Sequence, residues 1–190
     1  MRCLSCESFS FSIICKNCQK NLLKPSFYKR ELQKDFFVYS FYNYEEIKDL
    51  INSKYHFHGD KIFKILGKLS FKTFANNFKI KNIKAIPIDD HTRHHFSQSA
   101  ILAKSLKCIN IKPIYSTLKA KNIVKYAGRD LEFRKKNPRN FKYNGKSNLQ
   151  VILVDDVVTT GQTILEAKDI LEKNSCEVLF ALTLSDAKND

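Results

Sequence analysis

The segment Val151–Thr163, VILVDDVVTTGQT, holds the residues of this chain best placed to do chemistry. Four apolar residues end in two adjacent carboxylates, Asp155 and Asp156, and the turn Thr159-Thr160-Gly161-Gln162-Thr163 opens the next element. In open parallel sheets ligands sit beyond the carboxyl ends of the strands, where helix N-termini present amides without intrahelical partners. Thr159, Thr160 and Thr163 offer hydroxyls to an anion there, and Gly161 lets the backbone approach it closely. The helix dipole adds about half a positive charge. The two carboxylates can accept from vicinal sugar hydroxyls and hold a magnesium ion through water. No Gly-Lys-Ser/Thr follows, so this is not a Walker loop, and it is not a GxGxxG turn either. The plainer alternative is an Asp-capped strand end with a Thr helix cap.

The second constellation is Cys3-x2-Cys6-x8-Cys15-x2-Cys18. Four thiolates on two short turns have the number and spacing for tetrahedral zinc. Two disulfides are the alternative, disfavoured in a chain that shows no secretory leader before Cys3. A four-thiolate site leaves no open coordination position, so the expected role is structural, with a contact to DNA left open. Residues 1–24 also lack the apolar mass to fold unaided, which a metal staple offsets. Cys108 and Cys176 lie beside apolar runs and read as core thiols.

The third is electrostatic. The net charge of +14 is unevenly spread: residues 101–150 carry thirteen basic and two acidic side chains, whereas 151–190 carry three and eight. Within 119–146 stand ten basic residues, among them Lys125, Arg129, Arg134, Lys135, Lys136, Arg139 and Lys142, interleaved with Tyr126, Phe133, Phe141 and Tyr143. Charge alternating with stacking faces suits single-stranded DNA. A solvated loop with its aromatics tucked into the core is the competing reading, and the 27 Lys against 6 Arg also fit an AT-rich coding bias.

These residues must be held by a scaffold. Gln150–Val154 reads as a strand buried on both faces, Thr163–Lys173 as an amphipathic helix and Glu177–Leu184 as a second strand: a βαβ unit, and hence a parallel sheet. Upstream, residues 36–44 read as an aromatic strand, Tyr44–Phe57 as a helix and Ile83–Ile88 as a short buried strand. Gly59 and Asp60 introduce a further helix, and Gln98–Lys107 reads as another. Lys119–Lys146 has no clean period and is expected to be loop with short extended pieces. The expected fold is α/β with flanking helices, divided into a zinc-binding module at 1–30 and a larger domain at 31–190. A chain of 190 residues can bury such a core. No run approaches the roughly 20 apolar residues of a membrane span, so a cytoplasmic location is expected.

The acid pair and Thr/Gly-rich turn resemble the signature of type I phosphoribosyltransferases. The resemblance implies that Asp155 and Asp156 hold the ribose 2′ and 3′ hydroxyls of 5-phosphoribosyl-1-diphosphate, with magnesium, while Val157–Thr163 wraps the 5′-phosphate. Preceded by four cysteines, the whole resembles the ComF family of competence proteins, which act in DNA uptake during natural transformation. Further likenesses to that family lie in the aromatic strand, Ile47–Phe57 with Lys54, Gly59, the strand Ala85–Ile88, Phe96 with Gln98, and Arg134 with Asn137. His94, His95 and Ser97 stand where the family has Arg, Gly and Asn, which leaves Arg93 as the diphosphate candidate. The resemblance implies single-stranded DNA, and other DNA-uptake proteins, as partners. A nucleobase phosphoribosyltransferase and a sensor-type regulator are the rival functions.

Overall fold

The computed structural model describes residues 1–91, 96–122 and 136–188. In chain order its elements are α1 (Lys16–Asn21), β1 (Tyr28–Gln33), β2 (Phe36–Asn43), α2 (Tyr44–Asn52), a 3-10 turn (Ser53–Tyr55), α3 (Gly59–Leu69), α4 (Phe71–Asn77) and β3 (Ile83–Pro87). There follow α5 (Gln98–Ser105), β4 (Ile111–Pro113), β5 (Leu118–Ala120), β6 (Phe141–Tyr143), β7 (Gln150–Val154), β8 (Val157–Val158), α6 (Gln162–Lys173) and β9 (Glu177–Asp186).

The β-branched run of β7 lies at the middle of the sheet, where a strand needs apolar residues on both faces. The strand order is β1-β2-β9-β7-β3-β4, with β8 joined to β9. Pairing is parallel from β2 through β4, and β1 returns antiparallel along β2. Side chains alternate between two cores, as the strand period requires. Ile83, Ala85, Ile152, Val154, Leu182 and Leu184 face α3 and α5, represented by Phe63, Leu66, Leu102 and Leu106. Ile86, Val151, Leu153, Val178 and Ala181 face α6, through Ile164, Ala167 and Leu171. Each of these side chains contributes roughly 1.5–3 kcal/mol when an Ile, Leu or Phe is fully buried.

The N-terminal segment is continuous with the first core. Cys3, Ile13, Ile14, Cys18 and Leu23 share it with Phe41, Ile47 and Phe63. Residues 119–146 begin and end in short strands, β5 and β6, which pair antiparallel. The strand expected over Glu177–Leu184 runs on to Asp186, because β8 supplies two further backbone partners at Ser185 and Asp186. Cys176 is buried as a core thiol. Among the described residues, no helix is long and apolar enough to cross a membrane.

Candidate functional site

The chain leaves β3 through α5 toward β4, and leaves β7 through α6 toward β9, on opposite faces of the sheet. The carboxyl ends of β3 and β7 are therefore a topological switch point, where the two connections diverge and open a crevice. Asp89 and Asp90 follow β3 on one side, and Asp155 and Asp156 follow β7 on the other.

Asp155, Asp156, Thr159, Thr160, Gly161, Gln162 and Thr163 all lie on the β7–α6 connection. Gly161 takes φ +82° at the start of α6, and no side chain caps that end. A Cβ there would lie 2.7 Å from Leu32 Cδ2, so glycine meets both a conformational and a packing demand. Thr160 Oγ1 accepts from the Gln162 amide at 3.4 Å, turning the loop into the helix.

The carboxylates are not equivalent. The Asp156 amide donates to Asp155 Oδ1 at 2.9 Å, and the Val157 amide donates to Asp156 Oδ1 at 2.9 Å. Lys54 Nζ, from the 3-10 turn, lies 2.9 Å from Asp156 Oδ2. Burial, reinforced by the Asp156 charge, pushes the Asp155 carboxyl up to about 8. Burial works to raise Asp156 as well, but the Lys54 ammonium and the hydrogen bonds override it and hold that carboxyl below its ordinary range. The same pairing outweighs burial at Lys54 and raises its pKa. The site thus holds one firmly ionised carboxylate beside one poised near neutrality. An all-oxygen pair of this kind suits a hard cation held through water.

Arg30 of β1 anchors the loop from behind. Its Nη2 donates to the Thr159 carbonyl at 2.8 Å, and its Nε lies 2.7 Å from Asp186 Oδ2. Asp186 is almost wholly buried and also accepts the Lys188 amide at 2.9 Å.

Across the crevice, Asp89 Oδ1 accepts the Ala120 amide at 3.2 Å and Asp89 Oδ2 lies 3.4 Å from Arg139 Nη1. Glu166 of α6 accepts the amides of Arg139 and Asn140 at 3.1 and 2.6 Å. Both ends of the basic stretch are therefore fastened beside the site. Arg139, with its side chain 15% exposed, is turned inward to Asp89. Lys136 and Lys142 are exposed. Phe141 and Tyr143 do not offer stacking faces: both are buried against α6, and Tyr143 Oη donates to the Lys146 carbonyl at 2.7 Å. With a side chain alternating in and out along β6, Lys142 points away while its aromatic neighbours fill the core. Arg93, Lys125, Arg129, Arg134 and Lys135, with Tyr126, Phe133, His94 and His95, lie outside the described residues.

The four N-terminal cysteines converge as a group that could hold a metal ion. Their sulfurs all lie within 4.8 Å of one another. Cys6 and Cys15 sulfurs stand 3.7 Å apart, far beyond a disulfide at about 2.05 Å. The separation matches the edge of a tetrahedron with metal–sulfur bonds of about 2.3 Å, which is about 3.8 Å. Amides of Ser5 and Cys15 point at Cys3 Sγ, at 3.4 and 3.2 Å, and the Cys18 amide points at Cys15 Sγ at 3.4 Å. Such donors favour thiolates over thiols.

Arg30, Asp186 and Glu166 escape a reading of the sequence, and Lys54, marked there by a family likeness, was given no contact with the acid pair. Asp186 alone carried a usable signal: like Asp155, it closes an apolar strand.

The phosphoribosyl transferase domain family matches residues 57–190. Among solved structures the chain is similar to one titled crystal structure of adenine phosphoribosyltransferase, at 14% identity and a TM-score of 0.37, over 90% of this chain and 89% of that one. No curated protein matches it.

Proposed function

Because the chain belongs to the phosphoribosyl transferase domain family, we propose that the β3–β7 crevice binds 5-phosphoribosyl-1-diphosphate with magnesium. The observation that carries this is the carboxylate pair Asp155–Asp156 at the end of β7, on the same connection as the Thr/Gly turn whose Gly161 leaves the start of α6 without a side-chain cap of its own. Backbone amides and hydroxyls of Thr159–Thr163 receive the 5′-phosphate, assisted by the helix dipole. Asp155 and Asp156 accept from the ribose hydroxyls and hold the ion's water shell. Magnesium, when bound, neutralises charge on the diphosphate. Arg93 is the candidate for a direct diphosphate contact.

The wider role we assign is of the ComF type: handling single-stranded DNA in uptake, with zinc on Cys3, Cys6, Cys15 and Cys18 and residues 1–30 as its module. Exposed Lys121, Lys136, Lys142 and Lys146 around the β5–β6 base support a polyanion contact. Burial of Phe141 and Tyr143 makes that contact one of charge, with stacking left to Tyr126 and Phe133.

Titration with the diphosphate ligand, with and without magnesium, tests the pocket. Diphosphate release measured across a panel of nucleobases then separates the readings. Release coupled to one base would favour a metabolic transferase. Ligand binding without release, together with single-strand affinity, supports the proposal.

A further inference from the structure

The family match begins at residue 57, yet two cations ahead of it touch the candidate site. We infer that Arg30 and Lys54 are positioning residues of the ligand site, so that the N-terminal segment completes a pocket whose loop it does not contain. The inference rests on the ligand reading above.

The need for Arg30 follows from the loop itself. A backbone turn that aims its amides at an anion must aim carbonyls elsewhere, and a partly buried carbonyl requires a donor. Arg30 Nη2 supplies one to Thr159 at 2.8 Å. The guanidinium, only 18% exposed, needs a counter-charge in turn, and Asp186 lies 2.7 Å from its Nε. One guanidinium of β1 therefore holds the loop by a hydrogen bond and the end of β9 by an ion pair. Leu32, two residues along the same strand face, packs against Gly161, so β1 fixes the loop at both Thr159 and Gly161.

Lys54 answers a different problem. Two adjacent carboxylates in one crevice repel, and both are needed as acceptors for a vicinal diol. Lys54 engages Asp156 Oδ2 only, leaving Oδ1 on the Val157 amide and Asp155 Oδ1 on the Asp156 amide. The pair is thereby fixed in orientation and partly neutralised. Among the described residues, Tyr55 and Arg139 also act on this set.

The test compares wild type with R30Q, R30K, K54M, K54R and the surface control K64M. Binding of 5-phosphoribosyl-1-diphosphate with magnesium and thermal unfolding are measured on each. R30Q and K54M should weaken binding about tenfold or more, the scale of a lost charge-assisted hydrogen bond. K54R should recover most of the affinity, because one Nζ–Oδ2 contact is a point-charge pair. R30K should not, because a compact ammonium cannot both donate to the Thr159 carbonyl and keep the separate ion pair with Asp186. K64M should bind like wild type. Wild-type binding that R30Q and K54M retain overturns this inference alone. Equal losses in K54M and K54R, tracking lowered unfolding temperatures, mark Lys54 as merely structural and overturn its part. Absence of binding by the wild type overturns the ligand reading, and this inference with it.

Discussion

Asp155 and Asp156 are neighbours in sequence and in hydrogen bonding, the Asp156 amide donating to Asp155 Oδ1 at 2.9 Å, yet their surroundings shift the two carboxyls in opposite directions from the ordinary range. Burial and the adjacent charge push Asp155 up to about 8. A carboxyl that ionises later in the folded than in the unfolded chain contributes stability that is complete below the ordinary carboxylate range. That contribution is lost as pH rises through about 8. Asp155→Asn should therefore raise the unfolding temperature above that pH by at least 2–4 °C, corresponding to about 1 kcal/mol, and change it little at acid pH. Melting curves across pH check this. The same variant should lose ligand affinity, and wild-type affinity should rise as pH passes through about 8.

Gly161→Ala places a side chain on a backbone with φ +82° and within 2.7 Å of Leu32. Strain of this kind costs about 1–3 kcal/mol. The variant should melt at lower temperature and bind the phosphorylated ligand more weakly. Leu32→Ala, which relieves the contact but not the φ, should recover only part of the loss in the double variant.

The cysteine group should carry one tightly held zinc per chain, measurable by metal analysis of the purified protein. Cys3→Ser or Cys18→Ser should lower both metal content and unfolding temperature, because both residues are buried in the core shared with α3 and α5. Chelation should have the same effect, since metal binding and local folding are linked.

Tyr143→Ala should reduce stability by about 3–5 kcal/mol, as for other large buried aromatics. Its effect on single-strand affinity should vanish once the folded fraction is taken into account. The double change of Lys136 and Lys142 to Ala should do the reverse: it should leave melting nearly unchanged and flatten the salt dependence of binding by roughly one unit in slope. Fluorescence titration against salt distinguishes the two.

Local pattern exposed the elements that are strongly apolar or strongly periodic. Gln150–Val154 is a strand because every residue after Gln150 must be buried on one face or the other, and α6 follows from its Ile164–Leu171 stripe. The acid pair and the Thr/Gly turn were legible because their chemistry is contiguous. The short strands β1, β4 and β8 were not. β1 sets Arg30 between Tyr28 and Leu32 on its half-buried positions, so its alternation is not an apolar one, and β8 has only two residues. Arg30 could not be found from spacing, and Lys54 was marked only by the family likeness and without its partner, since each meets that partner more than a hundred positions away. The aromatics of 119–146 were ambiguous for a physical reason: a three-residue strand with Phe and Tyr flanking Lys142 serves a core or a stacking platform equally well until its partner strand is known.

The measurement that bears most directly on the central claim is a crystal structure of the protein with 5-phosphoribosyl-1-diphosphate and magnesium. It should place the 5′-phosphate on the amides and hydroxyls of Thr159–Thr163 and the ribose hydroxyls on Asp155 and Asp156. Lys54 should still reach Asp156, and Arg30 should remain on the Thr159 carbonyl. Ligand bound elsewhere with this crevice empty, or a 5′-phosphate held without contact to the 159–163 turn, would contradict the account.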